Sequence, residues 1–350
     1  MNGLDFYKGK KVFVTGHTGF KGTWLCKILL LAGAEVTGYA LEPETNPNLF
    51  TISGIEKEIT HIIGDIRDLK SLQTAIDNAK PEIVFHLAAQ PIVRTSYEKP
   101  VYTYETNVMG TVNILECIRN CDSVKSFLNV TTDKVYKNNE WNWGYRENEI
   151  LDGHDPYSNS KSCSELITQT YKRCFFNERN IAISTARAGN VIGGGDFAKD
   201  RIIPDCVRAA RSNESIIIRN PNSTRPFQHV LEPLFAYLLI AQKQYEDKKY
   251  EDSYNVGPND ENCVTVEKLV NLFAKKWGDG LQIECKNLGG PHEANFLKLD
   301  CSKIKNELDW KPKWNIEETI DKTVIFSKLD MNEKSIMREM ELEINEYSRR

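Results

Sequence analysis

The chain has 350 residues, 40% of them hydrophobic and 27% charged, with a formal net charge of −4 at pH 7. That is ample apolar material for a large core in one domain or two interlocked ones, and it offers no basic field for nucleic acid or an anionic membrane. The nine cysteines are scattered without C-x-x-C pairs, which argues for reduced thiols in a cytoplasm and against a disulfide framework or a metal site; no signal core or long apolar run suggests export or a membrane span.

The first apolar run, Lys11-Val12-Phe13-Val14-Thr15, feeds Gly16-His17-Thr18-Gly19-Phe20-Lys21-Gly22 and then the apolar stretch Trp24 to Leu31. This reads as a strand, a tight glycine turn and a helix. The glycines permit the turn, let backbone N–H groups approach a pyrophosphate and let the helix lie close on the strand. The helix N-terminus then faces the phosphates with its partial positive charge. Gly16, His17, Thr18, Gly19, Phe20 and Gly22 are thus candidate dinucleotide contacts.

Strands are expected at 11–16, 35–41, 59–63, 83–88, 125–131, 180–187 and 253–256, with helical patterns between them. The run Pro81 to Ala89 is nearly all apolar, as a strand buried on both faces should be. Alternation of this kind gives an α/β fold with a doubly wound parallel sheet of the Rossmann type. The second strand ends in Ala40-Leu41-Glu42; no basic residue there welcomes a 2′-phosphate, which favours NAD over NADP. Asp65 and Ile66 follow the third strand, where a carboxylate can accept from an adenine amino group. Leu87, Ala88 and Ala89 end the fourth, against the inner face of the cofactor.

Further on, Thr131-Thr132 closes the run Phe127 to Val130, and Asp155-Pro156 opens a helix that carries Tyr157 and Lys161. Asp caps such a helix and Pro suits its first turn. Tyr and Lys four apart share one face, so Lys161 is expected to lower the phenol pKa of Tyr157, ordinarily about 10. Thr132 adds a hydroxyl for a substrate oxygen. After Arg187 to Asp196 the alternation weakens. We expect a cofactor domain at 1–190 with a return segment at about 229–258, and a smaller mixed α/β substrate domain at 191–228 and 259–350. The charged tail beyond about 330 reads as a solvated terminal helix.

Taken together, these stretches resemble the extended short-chain dehydrogenase/reductases, the NAD-dependent epimerase/dehydratase family, and within it the CDP-glucose 4,6-dehydratases. The resemblance covers nearly the whole chain. It is carried by the glycine turn, Ala88 to Arg94, Thr106 to Thr111, Thr131 to Tyr136, Glu140 to Glu147, Asp155 to Lys161, Arg187 to Asp196, Asp200 to Asp205 and Arg225 to Pro233. It implies a lyase acting on CDP-glucose with NAD as a recycled cofactor. Tyr157 would take the 4-hydroxyl proton, Asp133 would protonate the departing 6-hydroxyl, and Thr106 would join the cofactor contacts. The dTDP-glucose relatives carry a Glu base where this chain has Lys134, so two roles stay open for Lys134: base at C5, or a charge that stabilises the enolate.

For the substrate the resemblance implies Gln90, Arg94, Asn107, Asn190, Arg201, Arg219, Arg225 and His292, with Arg225 the leading phosphate clamp and Arg187 a weaker candidate. Trp141, Trp143 and Tyr145 either line the sugar pocket or plug a core. A homodimer through helices near 101–119 and 157–175 is implied, as is supply of deoxysugars for a surface polysaccharide such as lipopolysaccharide O-antigen. An epimerase or a dehydratase for another nucleotide sugar is the alternative, and a non-catalytic NAD sensor the more distant one.

Overall fold

The computed structural model describes residues 4–278, 280–286 and 296–350. In chain order the first half runs β1 (Lys11–Thr15), α1 (Phe20–Leu31), β2 (Glu35–Ala40), α2 (Leu49–Ser53), β3 (Thr60–Ile63), α3 (Leu69–Ala79), β4 (Ile83–His86), α4 (Val93–Glu98), α5 (Pro100–Tyr104), α6 (Gly110–Arg119), β5 (Ser126–Val130), α7 (Pro156–Tyr171) and β6 (Ala182–Ala188). The second half follows with β7 (Val191–Ile192), α8 (Ile202–Ser212), β8 (Ile216–Ile218), β9 (Thr224–Arg225), β10 (Gln228–His229), α9 (Leu231–Glu246), β11 (Ser253–Val256), β12 (Val264–Thr265), α10 (Val266–Trp277), β13 (Ile283–Cys285), α11 (Ser302–Leu308), α12 (Ile316–Ser327) and α13 (Glu333–Arg349).

Seven strands form one sheet in the order β11-β6-β5-β4-β1-β2-β3, and every neighbouring pair is parallel. β4, β5 and β6 are buried along their whole length, because helices cover both faces and leave no polar side to the strand. All seven expected strands are present, with no end shifted by more than two residues. The fourth stops at His86 because the chain must leave the sheet there to make room for the turn after β1. The order reverses between β1 and β4, so a crevice opens beyond their carboxyl ends, where sheets of this kind bind ligands.

Two apolar clusters flank the sheet. A third fills the second half, where Ile203, Cys206, Ile218, Phe227, Leu269, Phe273 and Ile320 pack around the short strand pairs. The expectation of a solvated tail is wrong. α13 buries Ile336, Met340, Ile344 and Tyr347 in the same cluster as Trp24 and Leu25 of α1. Lys27–Glu341 at 2.7 Å and Lys57–Glu333 at 2.6 Å tie its outer face to the cofactor half. Its charge-rich composition hid an apolar stripe at helical spacing. No helix among the described residues is long and apolar enough to cross a membrane.

Candidate active site

The turn after β1 is built so tightly that only glycine fits. A Cβ on Gly16, whose φ is +76°, would lie 2.7 Å from the Ala88 nitrogen, and one on Gly22 would lie 2.2 Å from the Gly16 carbonyl. Gly19 is the N-cap of α1 and supplies no side-chain cap, whereas Asp155 caps α7 by accepting from Ser158 N at 2.9 Å. The first N–H groups of α1 are therefore open to a ligand, and no acidic residue sits in its first turn to oppose an anion. Thr106 is buried, and its hydroxyl has no partner among the described residues. These features fit a dinucleotide phosphate lying over the turn.

Three expected cofactor contacts are otherwise engaged. The imidazole of His17 turns under β2, its Nε2 2.6 Å from Nδ1 of His61, against Gly38 and the edge of the Phe50 ring. Burial, and then the neighbouring His61, push its pKa down to about 3. Only its backbone can serve a ligand. Thr18 donates to the Leu41 carbonyl at 2.9 Å and so ties the glycine turn to the end of β2. Asp65 is clamped by Arg67, with the NH2 group 2.6 Å from its Oδ2, which holds the carboxyl below its usual range. Ile66 is buried, and its carbonyl accepts from Asn113. Leu87 and Ala88 donate their backbone N–H groups to Thr15 Oγ1, so the close pass of Gly16 is fixed from both sides.

Beyond the strand ends lies a cavity of about 1050 Å³ lined by, among others, Lys21, Thr132, Lys134, Tyr157, Asn190, Arg201, Arg219 and Arg225. Thr132 ends the segment after β5 and donates to Asp133 Oδ1 at 3.0 Å. Asp133 is fully buried, its Oδ2 unpartnered among the described residues, with Lys134 Nζ 3.6 Å from its Oδ1. The Tyr157 phenol faces the Thr132 hydroxyl. Its pKa is pushed up to about 12 by burial, against the Thr132 hydrogen bond and with the Asp133 charge adding to the rise. The expected acidification by Lys161 is therefore not met here. Lys161 instead donates to the Val130 carbonyl at 3.1 Å, and burial lowers its own pKa to about 8 against the pull of Glu165. The Arg201 charge also works against the rise.

Lys21, in the first turn of α1, escaped the sequence reading. It lines the cavity, and burial, followed by the charges of Lys161 and Arg201, lowers its pKa to about 7. A lone charge inside a glycine turn that opens an apolar helix was the available signal. Asp196 and Asp200 also escaped, since the partners of an acidic residue on a loop come from distant segments.

Two expected substrate residues prove to be braces. Gln90 donates to Thr103 Oγ1 at 2.9 Å and accepts from Ile92 N at 2.6 Å. Asn107 accepts from Gln90 N at 2.8 Å and donates to the Gln90 carbonyl and to Ser160 Oγ. Both amides are buried and spent on holding the loop after β4 against α7. Arg187 is structural as well: fully buried, it pairs with Glu165 at 2.9 Å and donates to the Tyr136 hydroxyl.

The remaining arginines face the cavity. Arg201 pairs with Asp196 at 2.9 Å. Arg219 and Arg94 both approach Asp200, at 3.1 and 3.7 Å. Arg225 is buried on β9 and donates to the Thr224 carbonyl. Asn190 lines the cavity with an unpartnered Oδ1 among the described residues. His292, Glu293 and Asn295 lie outside the described residues. Of the aromatic loop, Tyr145 stacks on Tyr136 at 5.4 Å and is core, whereas Trp143 is 61% exposed. The cavity is lined instead by Lys137, Asn138 and Glu140 of that loop.

A family model described as GDP-mannose 4,6 dehydratase matches residues 13–323. The CDP-glucose 4,6-dehydratase of Salmonella typhimurium is 49% identical over 98% of this chain and 97% of its own length. At greater distance, the CDP-paratose 2-epimerase of Salmonella typhi is 26% identical over 89% of this chain and 97% of its own. Among solved structures, the dTDP-glucose 4,6-dehydratase of Bacillus anthracis in complex with NAD superposes with a TM-score of 0.75 at 23% identity, covering 90% of this chain and 95% of that one. The UDP-glucose 4-epimerase of Thermus thermophilus in complex with NAD gives 0.78 at 22%, covering 91% and 98%. At these identities the structures bear on the fold alone, and they share the sheet and crevice found here. The match across most of the chain, with the near-half identity to a full-length relative, bears out the motif-based resemblance: this protein belongs to the GDP-mannose 4,6-dehydratase family.

Proposed function

We propose that the protein is an NAD-dependent lyase that converts CDP-glucose to CDP-4-keto-6-deoxyglucose and water. The observation that carries this reading is the gathering of Thr132, Lys134 and Tyr157 at one cavity wall, with Asp133 buried against Thr132 and Lys134, beside an uncapped glycine turn. A plain oxidation or an epimerisation needs the hydroxyl, phenol and lysine. The buried Asp133 with its lysine neighbour adds the acid that elimination requires. The 49% identity to a CDP-glucose 4,6-dehydratase supports the choice of substrate.

In this reading Gly16, Gly19, the first turn of α1, Thr106 and the Leu87–Ala89 segment would hold the dinucleotide. When bound, NAD supplies the two-electron acceptor that takes hydrogen from C4 and restores it at C6. Tyr157 takes the 4-hydroxyl proton, with Thr132 orienting the oxygen. Burial raises the phenol pKa, and a further cation beside it, as an oxidised nicotinamide would supply, would favour loss of its proton. The 4-ketone acidifies C5–H. Lys134 takes that proton or holds the enolate charge, and Asp133 gives a proton to the 6-hydroxyl as it leaves as water. Return of hydrogen at C6 and of a proton at C5 closes the cycle.

Arg94, Arg201, Arg219, Arg225 and Asn190 hold the nucleotide diphosphate. Residues 1–190 and 229–258 serve the cofactor; 191–228 and 259–350 serve the substrate, α13 excepted, since it buttresses α1. The exposed Tyr97, Val101, Tyr104, Met109 and Leu166 on α4 to α7 form the face through which two copies pair. The enzyme works in the cytoplasm and supplies deoxysugar nucleotides for surface polysaccharide. Incubation with CDP-, dTDP- and GDP-hexoses tests the reading. Alkali-induced absorbance of a 4-keto-6-deoxy product is expected from CDP-glucose, and turnover of another sugar in its place would overturn it.

A further inference from the structure

The segment between β7 and α8 carries two carboxylates, and each is committed to a cavity-lining arginine. Asp196 takes Arg201. Asp200 takes two partners from segments far apart in the chain: Arg219, which follows β8, places both NH1 and NH2 3.1 Å from Asp200 Oδ1, and Arg94 on α4 places Nε 3.7 Å from the same oxygen. All three side chains are about one-third exposed, at 32–34%, and all three line the same cavity. Asp200 also has a φ of +60°, a left-handed conformation that costs a non-glycine residue energy and persists where surrounding contacts hold it.

We propose that Asp200 is a resident stand-in for the substrate diphosphate: a carboxylate that keeps Arg94 and Arg219 gathered at one point of the cavity and surrenders them when a nucleoside diphosphate enters. This rests on the reading above, in which those arginines hold the diphosphate. Partly exposed ion pairs contribute little to folding, so exchange of one anion for another costs the fold little. A diphosphate offers more charge and more acceptor oxygens than one carboxylate, and arginine forks favour such bidentate partners. The displaced Asp200 charge remains nearby and opposes the bound diphosphate, which sets how tightly nucleotide is held and how quickly product departs. Asp200 is thus a gating residue that tunes affinity, with no part in proton transfer.

Calorimetric titration with CDP at two salt concentrations tests this on the wild type, Asp200→Asn and Asp200→Gly, with Arg219→Met as a control. Asp200→Gly keeps the left-handed turn without strain and so guards against a folding failure. Both Asp200 variants are expected to bind CDP about three- to tenfold more tightly, with a steeper loss of affinity as salt rises. KM for the sugar nucleotide should fall while kcat holds or drops through slower product release. If Arg219→Met weakens CDP binding but neither Asp200 variant tightens it, Asp200 merely orients the arginines and the proposal is overturned. If Arg219→Met leaves CDP affinity unchanged, the diphosphate reading of these arginines falls, and the proposal with it.

Discussion

The Asp133 carboxyl group and the Lys134 amino group stand 3.6 Å apart, the first fully buried and the second 31% exposed at the cavity wall. Dehydration needs one proton delivered at O6 and one removed at C5, and neighbours in this arrangement can do both without either crossing the cavity. Asp133→Asn keeps the shape and the Thr132 contact but removes the acid. It should lower product formation about 10²- to 10⁴-fold while nucleotide affinity, read by titration, stays within about twofold. Loss of affinity matching the loss of rate would show that Asp133 only shapes the site.

Lys134 is tested by Lys134→Met, assayed in deuterated water. Incorporation of solvent deuterium at C5 should fall by at least about 10²-fold along with turnover. Full dehydration by this variant would remove Lys134 from proton transfer and from charge stabilisation alike.

Lys161 has a distinctive stability signature. Its ammonium is buried, and its pKa is lowered to about 8 from an ordinary 10.5. Between those values the unfolded chain binds more protons than the folded one, so this residue's contribution to stability rises with pH across that window and is unfavourable below it. Lys161→Met should therefore abolish most turnover, by about 10²-fold or more, yet melt roughly 2–4 °C higher than the wild type at pH 7. The gap should close as pH approaches 10. A lower melting temperature at pH 7 would mean that the bond to the Val130 carbonyl outweighs the buried charge.

α13 gives a prediction far from the chemistry. Ile344 is fully buried in the cluster that contains Trp24 and Leu25 of the cofactor helix. Ile344→Ala should cost about 2–5 kcal/mol, measured by denaturant unfolding, with a further loss on removal of residues 333–350. A cost below about 0.5 kcal/mol would return the tail to the solvated role its composition suggested.

The sheet was legible because buried parallel strands read as short apolar runs, and the glycine turn because sterics leave no other residue at Gly16 and Gly22. Tyr157, Lys161 and Thr132 were expected from spacing and from the strand end that Thr132 follows, and Asp133 from the family resemblance alone. What was hidden depended on partners. Gln90 and Asn107 carry amides suited to a sugar, but their donors and acceptors are spent on Thr103, Ile92 and Ser160, which no local pattern announces. His17 sits inside the motif yet turns its ring to His61, forty-four residues on. The state of Tyr157 depends on burial and on Arg201 from the other half of the molecule, so a four-residue spacing to Lys161 overstated that pair. α13 was misread because its charged face dominates the composition.

The most direct measurement follows an isotope through the reaction. CDP-glucose carrying deuterium at C4 is turned over in ordinary water and the product is read by mass and NMR. Internal redox at one site predicts a 4-keto-6-deoxy sugar with the label at C6 and solvent hydrogen at C5. A label washed into water, or retained at C4 of an unreduced or epimerised sugar, would contradict the account.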